Sequence, residues 1–141
     1  MSIHPKPLGQ QSGVVLLESL IAILVFSLGI LGIVGMQATA VKQVTDARYR
    51  SEASLLADQL LGTMRVSDRS PAALQTAFNT GGAGYNGWLA NVSATLPGTA
   101  SFPPVVAVDA TGVVSIRIWW RAPNEGASVG THWYDAVAQI K

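Results

Sequence analysis

Apolar positions in this chain fall into three stretches of different period. Residues 14–36 read VVLLESLIAILVFSLGILGIVGM, apolar on every side, with Glu18 as the one ionisable side chain. As a helix rising about 1.5 Å per residue, the run is roughly 35 Å long, enough to cross a hydrocarbon core of about 30 Å with some tilt. The preceding residues 1–13, MSIHPKPLGQQSG, contain two prolines, Lys6 and several polar groups. They cannot pack as a structural unit and read as a leader.

The helical period continues through residues 38–65, which contain no proline. Val41, Val44, Ala53, Leu56, Leu60 and Met64 recur at three- and four-residue steps, with gaps, as an amphipathic helix requires. Arg48, Arg50, Glu52 and Asp58 fall largely off that stripe. The spacing predicts one helix from Val14 to about Val66, roughly 80 Å long, with an apolar first half and a second half packed on a domain. Gly29, Gly32 and Gly35 interrupt the apolar half every three residues, each costing about 1 kcal/mol of helix propensity relative to Ala. Two readings stand side by side: close packing of neighbouring helices, or a segment able to loosen and extend. True G-x-x-x-G spacing is absent.

Beyond Val66 the pattern shortens. Ser67, Asp68 and Arg69 form a turn, and Ser70-Pro71 pairs an N-cap residue with proline at the first helical position, predicting a short helix to about Phe78. The glycine-rich residues 79–87 read as a loop; no Gly-Lys-Ser/Thr ending makes them a phosphate cradle. Residues 89–96 are expected to add an edge strand. Val105 to Asp109 and Val113 to Arg121 read as strands joined by Ala110-Thr111-Gly112. Alternation puts Val114, Ile116, Ile118 and Trp120 on the core face, and Val113, Ser115, Arg117, Trp119 and Arg121 on the other. A third strand is expected from near Thr131 through Ile140, after the turn-rich Pro123-Asn124-Glu125-Gly126. The fold class is therefore α+β: a long N-terminal α-helical stem, apolar in its first half, packed on a small antiparallel β-sheet. Its divisions are a leader (1–13), a transmembrane or assembly half-helix (14–37), and an amphipathic half-helix with a globular sheet domain (38–141).

Composition narrows the function classes. The 141 residues carry a formal net charge of +1 and no cysteine. That excludes a disulfide scaffold, a cysteine zinc site, a thiol nucleophile and a lipidated N-terminal cysteine. The arginines are interleaved with acids, so nucleic acid is not an expected partner. Three processing schemes fit the N-terminus. A secretory signal peptide could be cut after Ala38-Thr39-Ala40, although the apolar run far exceeds an ordinary h-region of about 7–15 residues. The segment could be an uncleaved anchor. Or cleavage between Gly13 and Val14 could leave the apolar helix on the mature chain. That last cut gives Val14 a cationic amine four residues from Glu18, and both charges need close partners once buried in apolar surroundings. Packing copies side by side with an axial stagger would set one subunit's carboxylate against its neighbour's amine.

Gly13, with Glu18 fifth after it in an apolar stretch, resembles the type III signal sequence of type IV pilins and type II secretion pseudopilins. The run ESLIAILVFSLGILGIVGMQ is especially similar to the PilV family of minor pilins, in which Ser-x-Gly-x-x-Gly follows the Glu. The specific likeness covers residues 9–40. It implies that Gly13 is the prepilin peptidase cleavage residue, Val14 the methylated N-terminus and Glu18 the assembly carboxylate. Val14 stands where the family usually has Phe or Met. The resemblance further implies an inner-membrane protein with a cytoplasmic N-terminus. It joins other minor pilins and the major pilin, primes pilus assembly and ends near the filament tip on the cell surface. The alternatives are a type II secretion minor pseudopilin, or a membrane-anchored ligand-binding module.

Little in the chain suggests catalysis. His132, the one histidine outside the leader, has Asp135 three residues away and no nominated nucleophile, so a hydrogen-bonding role is expected. The scattered aspartates make no metal-ligand spacing, and no cofactor is expected. Trp119, Trp120 and Trp133 should lie close if the last two strands pair. Trp119 and Trp133 are candidate subunit-interface residues, because interface cores favour aromatics.

Overall fold

A computed structural model describes residues 12–123, 125–126 and 130–141. The chain divides into two compact units, the first ending at Lys42 and the second spanning Gln43–Lys141. Helix α1 (Ser12–Val66) supplies the described part of the first unit and the first element of the second. Helices α2 (Pro71–Phe78) and α3 (Ala83–Thr95) follow, then strands β1 (Val105–Val108), β2 (Val113–Trp120) and β3 (His132–Gln139). The fold is α+β, a long N-terminal helix packed on a small three-stranded antiparallel sheet of order β1-β2-β3.

The second unit is organised by the two periods read from the sequence. Along α1 the buried positions Ala53, Leu56, Ala57, Leu60, Leu61 and Met64 form one helical face. Along β2 Val114, Ile116, Ile118 and Trp120 are buried in strict alternation, and both sets join one core. Val41 and Val44, expected on the stripe, are instead 64% and 70% exposed; the packed face begins only near Tyr49.

Ser70 sits at the N-cap of α2 with extended backbone and Pro71 follows at the first helical position, but its hydroxyl makes no cap bond. Its N–H instead donates to Asp68 Oδ1 at 2.9 Å. The β1–β2 connection is tied by Asp109, whose Oδ1 accepts from Thr111 N (2.7 Å), Thr111 Oγ1 (2.8 Å) and Val113 N (2.9 Å). Gly112 there has φ +80°, and a Cβ on it would lie 2.7 Å from the carbonyl oxygen of Ile140. Glycine is required on both counts.

Two expectations are overturned together. Part of the predicted loop at residues 79–87, and nearly all of the edge strand expected at 89–96, belong to α3. Tyr85, Trp88, Val92 and Leu96 are buried at three- and four-residue steps, so the helical period was present behind the glycines. Gly84 lies in the first turn of α3 because the ring of Phe78 occupies the space of its missing side chain, with Cε1 2.5 Å from where a Cβ would sit. α3 is held by the Trp88 indole N–H donating to Leu56 O at 2.8 Å and the Tyr85 hydroxyl donating to Pro104 O at 2.7 Å. Burial pushes the Tyr85 phenol above its ordinary range. Of the expected leader 1–13, residues 1–11 lie outside the described residues, as does Asn124 of the expected turn, while Ser12 and Gly13 open α1.

Candidate functional site

In the first unit, the side chains of residues 14–36 are all exposed, Val14 at 68%, Leu16 at 66% and Phe26 at 69% among them. This helix is long and apolar enough to be a candidate membrane span. Its two other polar side chains satisfy themselves: Ser19 Oγ donates to Val15 O at 2.8 Å and Ser27 Oγ to Ile23 O at 2.7 Å, each one turn back. Glu18 is thus the only polar side chain of residues 14–36 with no partner among the described residues. Gly13, Val14 and Glu18 lie close to the start of α1. Val14 and Glu18 are four residues apart, on one helix face and separated by about 6 Å of axial rise. A carboxylate so placed is costly wherever apolar surroundings bury it without a cation beside it.

The second unit brings together groups that the sequence left far apart. His132, at the start of β3, has Nδ1 3.2 Å from Asp46 Oδ1 on α1 and Nε2 2.9 Å from Glu125 Oε1. Its ring stacks on Trp120 with centroids 5.9 Å apart and planes inclined by 15°. Trp120 Nε1 donates to the same Asp46 oxygen at 3.3 Å, and Glu125 Oε2 accepts from Ala122 N at 3.2 Å. Asp46, Arg50, Trp120, Thr131, His132 and Tyr134 line a cleft of about 590 Å³. The expected neighbour Asp135 does not touch His132; it forms a two-pronged pair with Arg117 of β2, at 2.6 and 2.9 Å. No local spacing could have signalled the Asp46–His132–Glu125 arrangement, because its members come from a helix, a connection and a strand. The carboxylates lie on opposite sides of the ring, so the geometry pins the imidazole in place. Among the described residues, no group of three or more ligands suits a metal ion.

Trp119 and Trp133 are cross-strand partners on the outward sheet face, the first half-buried and the second 57% exposed. Arg117 lies 6.0 Å over the Trp119 ring. Beside them Val105, Ser115, Arg117, Trp119 and Val137 line a shallow groove of about 380 Å³. Trp120 is buried on the opposite face, as the alternation predicts.

The carboxylates of the second unit give its pH dependence a sign. Asp135 is held below the usual carboxylate range by its hydrogen bond from Arg117, Asp109 by the Thr111 hydroxyl and backbone N–H groups, and Asp68 by Ser70. At Glu125 burial acts to raise the value, but the His132 contact, the Ala122 N–H and the nearby charges of His132 and Arg121 outweigh it and the net shift is downward. Each contributes stability that is present above the unfolded carboxylate value of about 4 and is lost as pH falls through the lower folded value. The full chain in detergent is therefore expected to unfold at lower urea concentration at pH 3 than at pH 6, with Asp135→Asn flattening the dependence. A midpoint constant from pH 6 to pH 3 would contradict this.

No family model matches the chain, and no curated protein or solved structure is significantly similar to it.

Proposed function

We propose that the chain is a pilin-like filament subunit, a minor pilin of the PilV type that helps prime assembly of the type IV pilus. The observation that carries this reading is Glu18: the one charged side chain of residues 14–36, with no partner among the described residues, fifth after Gly13. Cleavage after Gly13 creates a cation at Val14 on every copy. An axial offset of about one helical turn between neighbours sets each Glu18 beside another subunit's amine, in surroundings where neither charge is stable alone. Methylation by the same peptidase adds an apolar group and leaves the charge. Before assembly the helix resides in the inner membrane; afterwards other pilins cover it.

Intact mass and N-terminal peptide sequencing, on protein recovered from membranes and from sheared surface filaments, test the reading. The expected product begins at Val14 and is heavier by one methyl group. A start at Val41 would mean an ordinary signal peptide, and an intact Met1 with no processed form a plain anchor; either result overturns the proposal. A type II secretion pseudopilin gives the same N-terminus and is separated by which system fails on deletion, piliation or protein export.

A further inference from the structure

The two edges of the sheet are finished differently. On β1 the residues whose backbone groups point away from β2 are Val106 and Val108, and all four groups are taken. Val106 N donates to Thr80 Oγ1 at 3.0 Å and its carbonyl accepts from Thr80 N at 3.1 Å. Val108 N donates to Asn79 Oδ1 at 2.8 Å and its carbonyl accepts from Gln75 Nε2 at 3.1 Å. That edge is closed by the end of α2.

Strand β3 has no such cover among the described residues. The Ile140 N–H to Gly112 O bond, together with the Val114↔Ala138 to Trp120↔His132 register, turns the even-numbered residues of β3 toward β2. Trp133, Asp135, Val137 and Gln139 therefore direct four N–H and four C=O groups outward, none with a partner among the described residues. The strand also lacks the usual protections of an exposed edge: its sequence HWYDAVAQ has no proline and no lysine, and Asp135 is drawn inward by Arg117.

From this edge we infer that a second copy of the chain pairs with it, β3 against β3 in antiparallel two-fold register centred on Ala136. Self-pairing matches odd-numbered residues with odd-numbered ones, so few registers exist and their side chains separate them. Centring on Asp135 sets Asp135 against itself, which like charges oppose. Centring on Val137 moves Trp133 past the strand end to Lys141, whose carbonyl already accepts from Arg69 at 2.9 Å. Centring on Ala136 uses all the outward groups, pairs Trp133 with Gln139 and Asp135 with Val137, and brings Ala136 against Ala136. The small Ala136 and Ala138 leave room on the helix side. The result is a continuous six-stranded sheet with an isologous interface. The inference stands whether or not the chain is a pilin.

The chain's lack of cysteine makes the register directly measurable. Ala136→Cys in the full-length chain, oxidised in membranes, should form a disulfide dimer, since directly opposed residues have Cα atoms about 4.5–5.5 Å apart. In this register two copies of Gln139 lie six residues apart along the strand, about 20 Å. Gln139→Cys, and Ala107→Cys on the closed edge, should therefore give at least about fivefold less dimer. Adding Val137→Pro removes an outward N–H that the β2–β3 ladder does not use, and should abolish the dimer with the circular dichroism unchanged. Val137→Asp, which sets a second carboxylate opposite the partner copy's Asp135, provides the same test with the backbone intact. A monomeric, folded Ala136→Cys chain would overturn the inference. So would equal dimer at all three positions, a dimer that survives Val137→Asp, or a disulfide chiefly to another protein.

Discussion

Glu18→Ala is expected to leave processing and the fold of the second unit intact, yet reduce the protein recovered in sheared filaments at least about tenfold relative to the membrane pool. The side chain makes no contact within the described chain, so its removal costs the monomer nothing that the structure shows. In a filament the loss differs in kind, because the neighbouring amine would be buried without a counter-charge. Glu18→Gln keeps the shape and loses the charge; it should fail almost as badly, whereas Glu18→Asp should retain part of the function. Immunoblots of membrane and filament fractions, normalised to processed protein, read the effect. Normal incorporation of Glu18→Ala would remove the assembly role given to this residue. For an anchored binding module the same change would leave ligand capture untouched, while Trp119→Ala would abolish it.

How much was legible in advance depended on whether the signal was local. The long helix and the three strands follow from period alone: an all-round apolar run, an interrupted stripe, and the alternation ending at Ile118 and Trp120. The hairpin followed from the connection Ala110-Thr111-Gly112, a signal that acts over a few residues; the part Asp109 plays in tying it did not. α3 was hidden because Gly82, Gly84 and Gly87 carry a loop signal, and it forms anyway because Tyr85 and Trp88 are buried against other elements. Gly84 is a packing residue, made necessary by the Phe78 ring. The His132 arrangement was illegible for another reason. Asp46 and Glu125 meet the imidazole only after β3 has paired with β2, and no pattern within the chain records that meeting. The place of Gly13 and Glu18 near the start of α1 could be expected, because it depends only on spacing along a single helix.

The second large effect lies in the element the sequence concealed. Trp88→Ala is expected to destabilise the second unit by about 3–5 kcal/mol, the usual cost of emptying a buried tryptophan site. The ring is 5% exposed, sits 6.1 Å from Tyr85, and fixes α3 to the long helix through its 2.8 Å bond to Leu56 O. Trp88→Phe separates the contributions. It keeps most of the apolar contact and gives up the indole N–H. Leu56 O, lying inside α1, also accepts a helical N–H, so the loss of that bond should cost only about 1 kcal/mol. Urea denaturation of the full chain in detergent, followed by circular dichroism, gives both values. Against a typical domain stability of about 5–15 kcal/mol, the alanine variant should have a visibly lower midpoint and the phenylalanine variant a slight shift. If Trp88→Ala unfolds with the wild-type midpoint, α3 is an appendage on a core formed by the long helix and the sheet. A loss on the expected scale makes it part of the cooperative unit, and the glycine-rich segment before it part of the fold.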